Sequence, residues 1–144
     1  MIYLEEINPN NWRLVLKVAK EQENYVSSDF RILARAYAYR EYRSKAFVIS
    51  KDSTPIGMAM YYDCDELNAY DFSQFFIDER YQGNGYGYLA ACKIIDMMKT
   101  DGKFRKVILC YIEGNEAAKK MYEKMGFYHT GENDGNEIIM QMDL

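Results

Sequence analysis

The chain has 144 residues, 49% of them apolar and 15% aromatic, with a formal net charge of −4. That length suits one domain, residues 1–144, burying about two-thirds of its unfolded surface; the composition argues for a packed globule, and the acidic balance excludes the broad basic surface of a nucleic-acid binder while favouring cationic partners. No apolar run approaches the roughly 20 residues of a membrane helix, and the start Met1-Ile2-Tyr3-Leu4-Glu5-Glu6 lacks the basic flank and apolar core of a signal peptide, so no membrane partner and a cytoplasmic location are expected.

In chain order, a first strand is expected near Tyr3 to Ile7, then a helix from about Asn11 to Gln22 with Trp12, Val15, Leu16 and Ala19 on its apolar face. Ser28 or Asp29 caps a second helix, with Phe30, Leu33, Ala34 and Tyr37 inward and Arg31, Arg35 and Arg40 outward. Ala46 to Ser50 and Ile56 to Tyr62 read as a hairpin turned by Asp52-Ser53-Thr54-Pro55. The next strand, about Ala69 to Asp78, runs into a glycine-rich turn and a helix from Tyr88 to Thr100. A strand over Val107 to Ile112 precedes a helix that Asn115 opens and Gly126 ends, with Ala118, Met121, Tyr122 and Met125 on one face. The chain closes with a hairpin, Phe127 to Glu132 and Glu137 to Met142, turned at Asp134-Gly135.

Three cysteines, Cys64, Cys92 and Cys110, are odd in number and widely spaced, which indicates neither a disulfide framework nor a zinc site. Cys92 and Cys110 lie in apolar stretches and are expected to be buried small hydrophobes. The only histidine, His129, stands alone, which gives little support to a Ser-His-Asp or Cys-His device. No metal site is expected.

The most informative stretch is Arg80-Tyr81-Gln82-Gly83-Asn84-Gly85-Tyr86-Gly87, between an apolar strand and a helix. A strand ending in a glycine-rich turn that feeds a helix leaves several backbone N–H groups without internal partners, and an anion docks on them. Glycines at 83, 85 and 87 allow positive φ angles and close approach of the ligand. A dinucleotide loop, G-x-G-x-x-G, would need its third glycine at position 88, where the chain has Tyr88. A nucleoside-triphosphate loop would need Gly-Lys-Ser/Thr, which is absent.

Gln82-x-x-Gly85-x-Gly87 resembles the Q/R-x-x-G-x-G/A pyrophosphate loop of the GNAT superfamily of acyl-CoA-dependent N-acyltransferases. Asn115-x-x-Ala118-x-x-x-Tyr122-x-x-x-Gly126-Phe127, at the right distance downstream, is similar to the superfamily's other signature, so the resemblance spans essentially the whole chain. It implies a single α/β (α+β) domain: a mixed, mostly antiparallel sheet with a splayed central strand pair, flanked by helices. The implied reaction is direct transfer of an acetyl group from acetyl-CoA, the cosubstrate, to a primary amine in a ternary complex.

By that resemblance, the backbone of Phe75 and Ile77 pairs with the pantetheine arm, an N–H near Ile77 stabilises the oxyanion, and Gln82, Gly83, Asn84, Gly85, Tyr86 and Gly87 grip the pyrophosphate. Asn115 and Lys124 match cofactor-contacting positions, and Tyr122 matches the general acid that protonates the departing thiolate. An alkylamine is protonated at neutral pH and must lose a proton before attack. Asp78, Glu79 and Glu113 are the candidates for the base, with a slight preference for Glu113.

Phe75 to Gly85 looks like the corresponding stretch of bacterial spermine/spermidine acetyltransferases, as does Gln22-x-x-Tyr25-Val26-x-Ser28, in the region that shapes the acceptor site. Glu23 and Tyr25 are therefore expected at the substrate. Glu21, Glu23, Asp29, Asp63, Asp65, Glu66 and Asp71 could supply carboxylates for a polycation. The chain departs from that pattern at Ser73-Gln74, where these enzymes usually carry an Asp-Arg pair. Alternatives are acetylation of a protein N-terminus, a lysine or an aminoglycoside-like amine, and a non-catalytic acyl-CoA-binding sensor. A homodimer is an assembly the resemblance allows.

Overall fold

The computed structural model describes all 144 residues. Seven strands form one sheet in the order β1-β2-β3-β4-β5-β7-β6. They are β1 (Ile2–Glu6), β2 (Lys45–Lys51), β3 (Thr54–Cys64), β4 (Ala69–Ile77), β5 (Lys106–Ile112), β6 (Tyr128–Asp134) and β7 (Glu137–Asp143). Helix α1 spans Asp29–Ala38, α2 spans Tyr86–Asp101 and α3 spans Glu116–Met125. Every strand pairing is antiparallel except β4 with β5, the two joined by the α2 crossover that a parallel pair requires.

Alternation along the strands divides the interior in two. Phe47, Tyr61, Tyr70, Phe72, Leu109 and Met140 face α2 and α3, packing against Ile94, Met98 and Tyr122. Met58, Met60, Tyr62 and Phe76 face the other way, against Ile32 of α1 and Leu16. The helix boundaries follow the expected caps: the Ser28 hydroxyl accepts from the Arg31 N–H at 3.4 Å, and Asn115 Oδ1 accepts from the Ala118 N–H at 3.3 Å.

Two expectations fail on the α1 side. The helix over Asn11 to Gln22 does not form; only Lys20–Gln22 makes a single 3-10 turn. Leu14, Leu16 and Val18 pack inward at alternate positions, while Val15 is 85% exposed and Trp12 is also exposed. The apolar residues here satisfy a period of two as well as 3.6, and tertiary hydrogen bonds choose the extended form. The Lys17 N–H donates to Asp78 Oδ2 at 2.9 Å, and the Lys17 carbonyl accepts from the Glu79 N–H at 3.1 Å.

Helix α1 forms where expected but turns a different face inward. Phe30 and Tyr37 are 72% and 68% exposed, whereas Ile32 is buried with Leu33 and Ala36 beside it. Apolar residues occupy two overlapping stripes on this helix, and the methionine-lined surface of β2 and β3 receives the one carrying Ile32. Arg35, expected outward, instead lies over the rings of Tyr39 and Tyr62 and donates through Nε to Ser73 Oγ at 2.7 Å.

The far end of the sheet is held by charge. Asp63, 2% exposed, accepts from Arg43 Nε at 2.6 Å and from Lys103 Nζ at 2.7 Å, and Arg43 also binds Asp101 at the end of α2. Burial opposes ionisation of Asp63, but the Arg43 and Lys103 hydrogen bonds outweigh it and hold the carboxyl below its ordinary range. Asp63 is thereby spoken for, as is Asp65 through Lys103, so neither is free to bind a polycation.

Candidate active site

Strands β4 and β5 pair only at Tyr70 with Val107 and Asp71 with Ile108, then diverge. Beyond that vertex the facing edges of both strands have unpaired backbone groups. The register between β3 and β4 also slips, with Tyr61 opposite Phe72 but Met60 opposite Gln74, which leaves Ser73 as an extra residue. This bulge keeps Phe72 and Phe75 on one face, where their rings meet at 5.7 Å. The resulting V opens into a cleft of about 710 Å³ bounded by both strands, the N-terminus of α2, α3 and residues 22–27.

The glycine turn closes one end of this cleft. Gly83 and Gly85 hold φ of +80° and +78°, and nothing lies within 4 Å of where their side chains would be, so the constraint there is backbone conformation rather than space. Gly85 is the N-cap of α2 and offers no side chain to its first turn, which leaves those N–H groups directed at a ligand. Unpaired amides, positive φ and open space together fit a pyrophosphate.

Gln82 and Asn84 serve the turn itself. The Gln82 amide donates to the Ile77 carbonyl at 3.0 Å, and the Asn84 amide donates to the carbonyls of Tyr81 and Gln82, each at 3.2 Å. Gln82, Gly83, Gly85, Tyr86 and Gly87 line the cleft, and Asn84 does not. Phe75, Ile77, Asn115 and Lys124 also line it, with Asn115 buried and capping α3 and Lys124 Nζ held 4.3 Å from the Tyr88 ring.

Tyr122 reaches the cleft from α3. Its ring is 8% exposed and packs against Phe72 and Phe127. The hydroxyl has no protein hydrogen bond, and no buried side-chain polar atom in the molecule lacks a partner, so it opens on the cleft. Burial, and to a smaller extent the Cys110 thiol, push the phenol well above its ordinary range, which keeps its proton in place across neutral pH.

The acceptor-side candidates are placed unequally. Tyr25 lines the cleft and closes over the β5–α3 turn, where Gly114 holds φ of +102° and a side chain would meet the Tyr25 hydroxyl at 3.2 Å. Glu23 and Glu113 are exposed and lie outside the lining. The Glu113 N–H donates to Asn136 at 2.8 Å, which turns the end of β5 toward the last hairpin rather than the V.

Asp78 is fully buried and fully used. It accepts from Lys17 N–H, Arg80 N–H and, at 2.8 and 2.9 Å, the Arg80 guanidinium. The Arg80 side chain first, then the backbone donors, outweigh burial and bring its pKa down to about 2, which removes it as a base at neutral pH. Glu79 pairs with Lys17 at 3.1 Å.

Cys110, expected in the core, is exposed on the cleft wall, with burial of the thiol itself and the charge of Glu137 pushing it up to about 12. Glu137 also lines the cleft. Neither residue carries a local signal; both arrive through the pairing of β5 with β7, in which Ile112 faces Glu137.

A sequence model of the acetyltransferase (GNAT) family matches residues 10–127. The chain belongs to the GNAT acetyltransferase family. It is 33% identical over 138 residues to the spermine/spermidine N(1)-acetyltransferase of Bacillus subtilis, an alignment covering 91% of this chain and 90% of that one. Among solved structures, the PaiA N-acetyltransferase of Thermoplasma acidophilum in complex with coenzyme A superposes with a TM-score of 0.76 at 17% identity, covering 100% of this chain and 99% of that one. The spermidine N-acetyltransferase of Vibrio cholerae in complex with CoA and spermine gives 0.76 at 17% identity, covering 99% and 94%. This GNAT chain is thus an acetyl-CoA-dependent N-acetyltransferase with the splayed mixed sheet that the glycine loop and the Asn115 to Phe127 signature implied. No helix is long and apolar enough to cross a membrane.

Proposed function

We propose that this acetyltransferase acetylates a primary amine of a polyamine, spermidine or spermine, with both substrates bound at once. The observation that carries the reading is the cleft itself, open on its α2 side at unpaired helix amides and on its α1 side beside Tyr25 and Glu137. The substrate named for the Bacillus subtilis relative supports the choice of acceptor.

Acetyl-CoA supplies an activated thioester; the rest is done by this chain. The amides of residues 83–87 and the first turn of α2 hold the pyrophosphate, with Gln82 and Asn84 fixing the turn. The free edge of β4 at Phe75 and Ile77 aligns the pantetheine arm, and an N–H near Ile77 faces the carbonyl oxygen as it becomes anionic. Asn115 and Lys124 flank the arm from α3. Tyr122 gives its proton to the departing thiolate, a role that its protonated, cleft-facing phenol supports and that a non-catalytic acyl-CoA sensor would not need.

The test is thiol release from acetyl-CoA with spermidine, spermine, a lysine peptide and an aminoglycoside, in the wild type and in Tyr122→Phe. Turnover with the polyamines that is lost in the variant is expected. Turnover with the peptide alone would overturn the acceptor, and none with any amine would favour the sensor.

A cytoplasmic location belongs to the same proposal, supported by three cysteines that stand as free thiols. So does self-association through the exposed Phe30 and Tyr37 stripe of α1, which sedimentation of Phe30→Asp against wild type tests by loss of the larger species.

A further inference from the structure

On the α1 face of the sheet, α1 packs on β2 and β3 and leaves Cys110 of β5 exposed. Strand alternation sends Asp71 of β4, Cys110 of β5 and Glu137 of β7 to this face, opposite to Phe72, Leu109 and Met140 in the core beneath α2. Asp71 is the last residue of β4 to pair with β5, so it stands at the vertex of the V. The Tyr62 hydroxyl donates to its Oδ2 at 2.8 Å. Its Oδ1 has no protein partner, and since no fully buried polar side-chain atom is left without one, that oxygen keeps some contact with solvent. Glu137 lines the cleft together with Cys110.

We propose that Asp71 and Glu137 are the carboxylate pair that receives the attacking ammonium of the acceptor, Asp71, one residue behind the lining that begins at Phe72, accepting its proton through water and Glu137 holding its charge in the cleft. The proposal rests on the acetyl-transfer reading above and assigns the base, a role for which Asp78 and Glu79 are already paired and Glu113 follows the end of β5 toward the last hairpin.

Proton and electron counts close. The alkylammonium gives one proton to Asp71, and the freed nitrogen lone pair forms the N–C bond to the thioester carbonyl. As the C–S bond breaks, its electron pair leaves on sulfur, which takes a proton from Tyr122. The second proton lost from nitrogen restores Tyr122, and Asp71 releases the first to water.

Four groups face Asp71: Tyr62, Arg35, Glu137 and, beyond it, Cys110. Burial raises its carboxyl above the ordinary range, the Tyr62 hydrogen bond and Arg35 oppose that rise, and Glu137 adds to it. The basic form is therefore lost as pH falls through a value above the ordinary carboxylate range, and the acid limb of the rate profile follows it.

The experiment measures kcat and both KM values against pH for wild type, Asp71→Asn, Glu137→Gln and Tyr62→Phe. Glu137→Gln is expected to raise the amine KM roughly tenfold and leave the acetyl-CoA KM alone. Asp71→Asn is expected to lower kcat roughly a hundredfold. Tyr62→Phe keeps the carboxylate and the packing but removes the hydrogen bond that favours ionisation, so its acid limb moves to higher pH, a shift that loss of folding would not produce. Wild-type turnover with unchanged amine KM in Glu137→Gln and an unmoved acid limb in Tyr62→Phe would overturn the pair. If wild type turns over no amine, the acetyl-transfer reading fails, and calorimetric titration of spermidine into the coenzyme A-saturated protein decides the pair by itself: no heat, or equal heat with Glu137→Gln, overturns it.

Discussion

On its α2 side the cleft is bounded by one short stretch, residues 82–88 apart from Asn84, whereas on its α1 side the boundary is assembled from Gln22, residues 24–27, the bulge at Ser73 and positions on β5 and β7. The first half works through backbone groups, which any sequence with the right glycines presents. The second works through side chains that are neighbours only because strands pair and a loop is pinned. On the proposed reading, one substrate is bound by a local motif and the other by a tertiary construction. Substitutions should separate the two.

The largest separation is expected from Tyr122→Phe, which removes the proton donor and keeps the packing against Phe72 and Phe127. Steady-state kinetics should show kcat down by roughly a hundredfold or more with the acetyl-CoA KM little changed; an unchanged kcat would place the acid elsewhere. Next is Gly85→Ala, which meets open space but must hold φ of +78°, at a cost of about 1–2 kcal/mol. The acetyl-CoA KM should rise by roughly tenfold, with the amine KM unaffected. A comparable rise in both would mean that the two halves of the cleft are not independent.

Asp78→Asn probes the one link between them, since Asp78 joins the Arg80 end of the glycine turn to Lys17 on the acceptor side. A loss of about 1–3 kcal/mol in denaturant unfolding is expected, because buried donors lose a charged acceptor, together with rises in both KM values. The pH dependence has a definite sign. Asp78 is depressed to about 2 when folded, so its contribution is present above the unfolded carboxylate value near 3.9 and is lost as pH falls from there toward 2. Unfolding monitored across that window should show wild type losing stability faster than Asp78→Asn. The smallest effect is expected from Glu113→Gln, whose side chain lies outside the cleft; kcat and KM should stay within about twofold of wild type, as for surface changes generally, and a larger change would restore Glu113 as a candidate base.

How much of this was legible in advance follows the same division. The glycine turn, the cap at Asn115 and Tyr122 on the cleft-facing side of α3 are read correctly because helix ends and the 3.6-residue period act over a few residues. The stretch from Asn11 to Gln22 misleads because Leu14, Leu16 and Val18 fit an extended chain as well as a helix, and the deciding hydrogen bond comes from Asp78, 61 residues away. Helix α1 offers two apolar stripes, and only the surface it lands on selects Ile32 over Phe30. Cys110 looks like a core residue within Val107 to Ile112, yet it faces the gap where β5 has left β4.

By itself the amino-acid sequence determined the acyl-CoA half of this protein: the Gln82 to Gly87 turn and the Asn115 to Phe127 helix specify their own backbone conformations, and conformation is what a pyrophosphate and a thioester require. The tertiary structure alone decided which carboxylates are paired, which lie outside the cleft and which share its α1 face. It spent Asp63, Asp65, Asp78 and Glu79 on ion pairs and left Glu23 and Glu113 outside the cleft. It brought Asp71 and Glu137 to one face. The physical reason is range, since a backbone turn is set by its own residues, whereas the surroundings of a charge are set by whichever strands and loops pack around it.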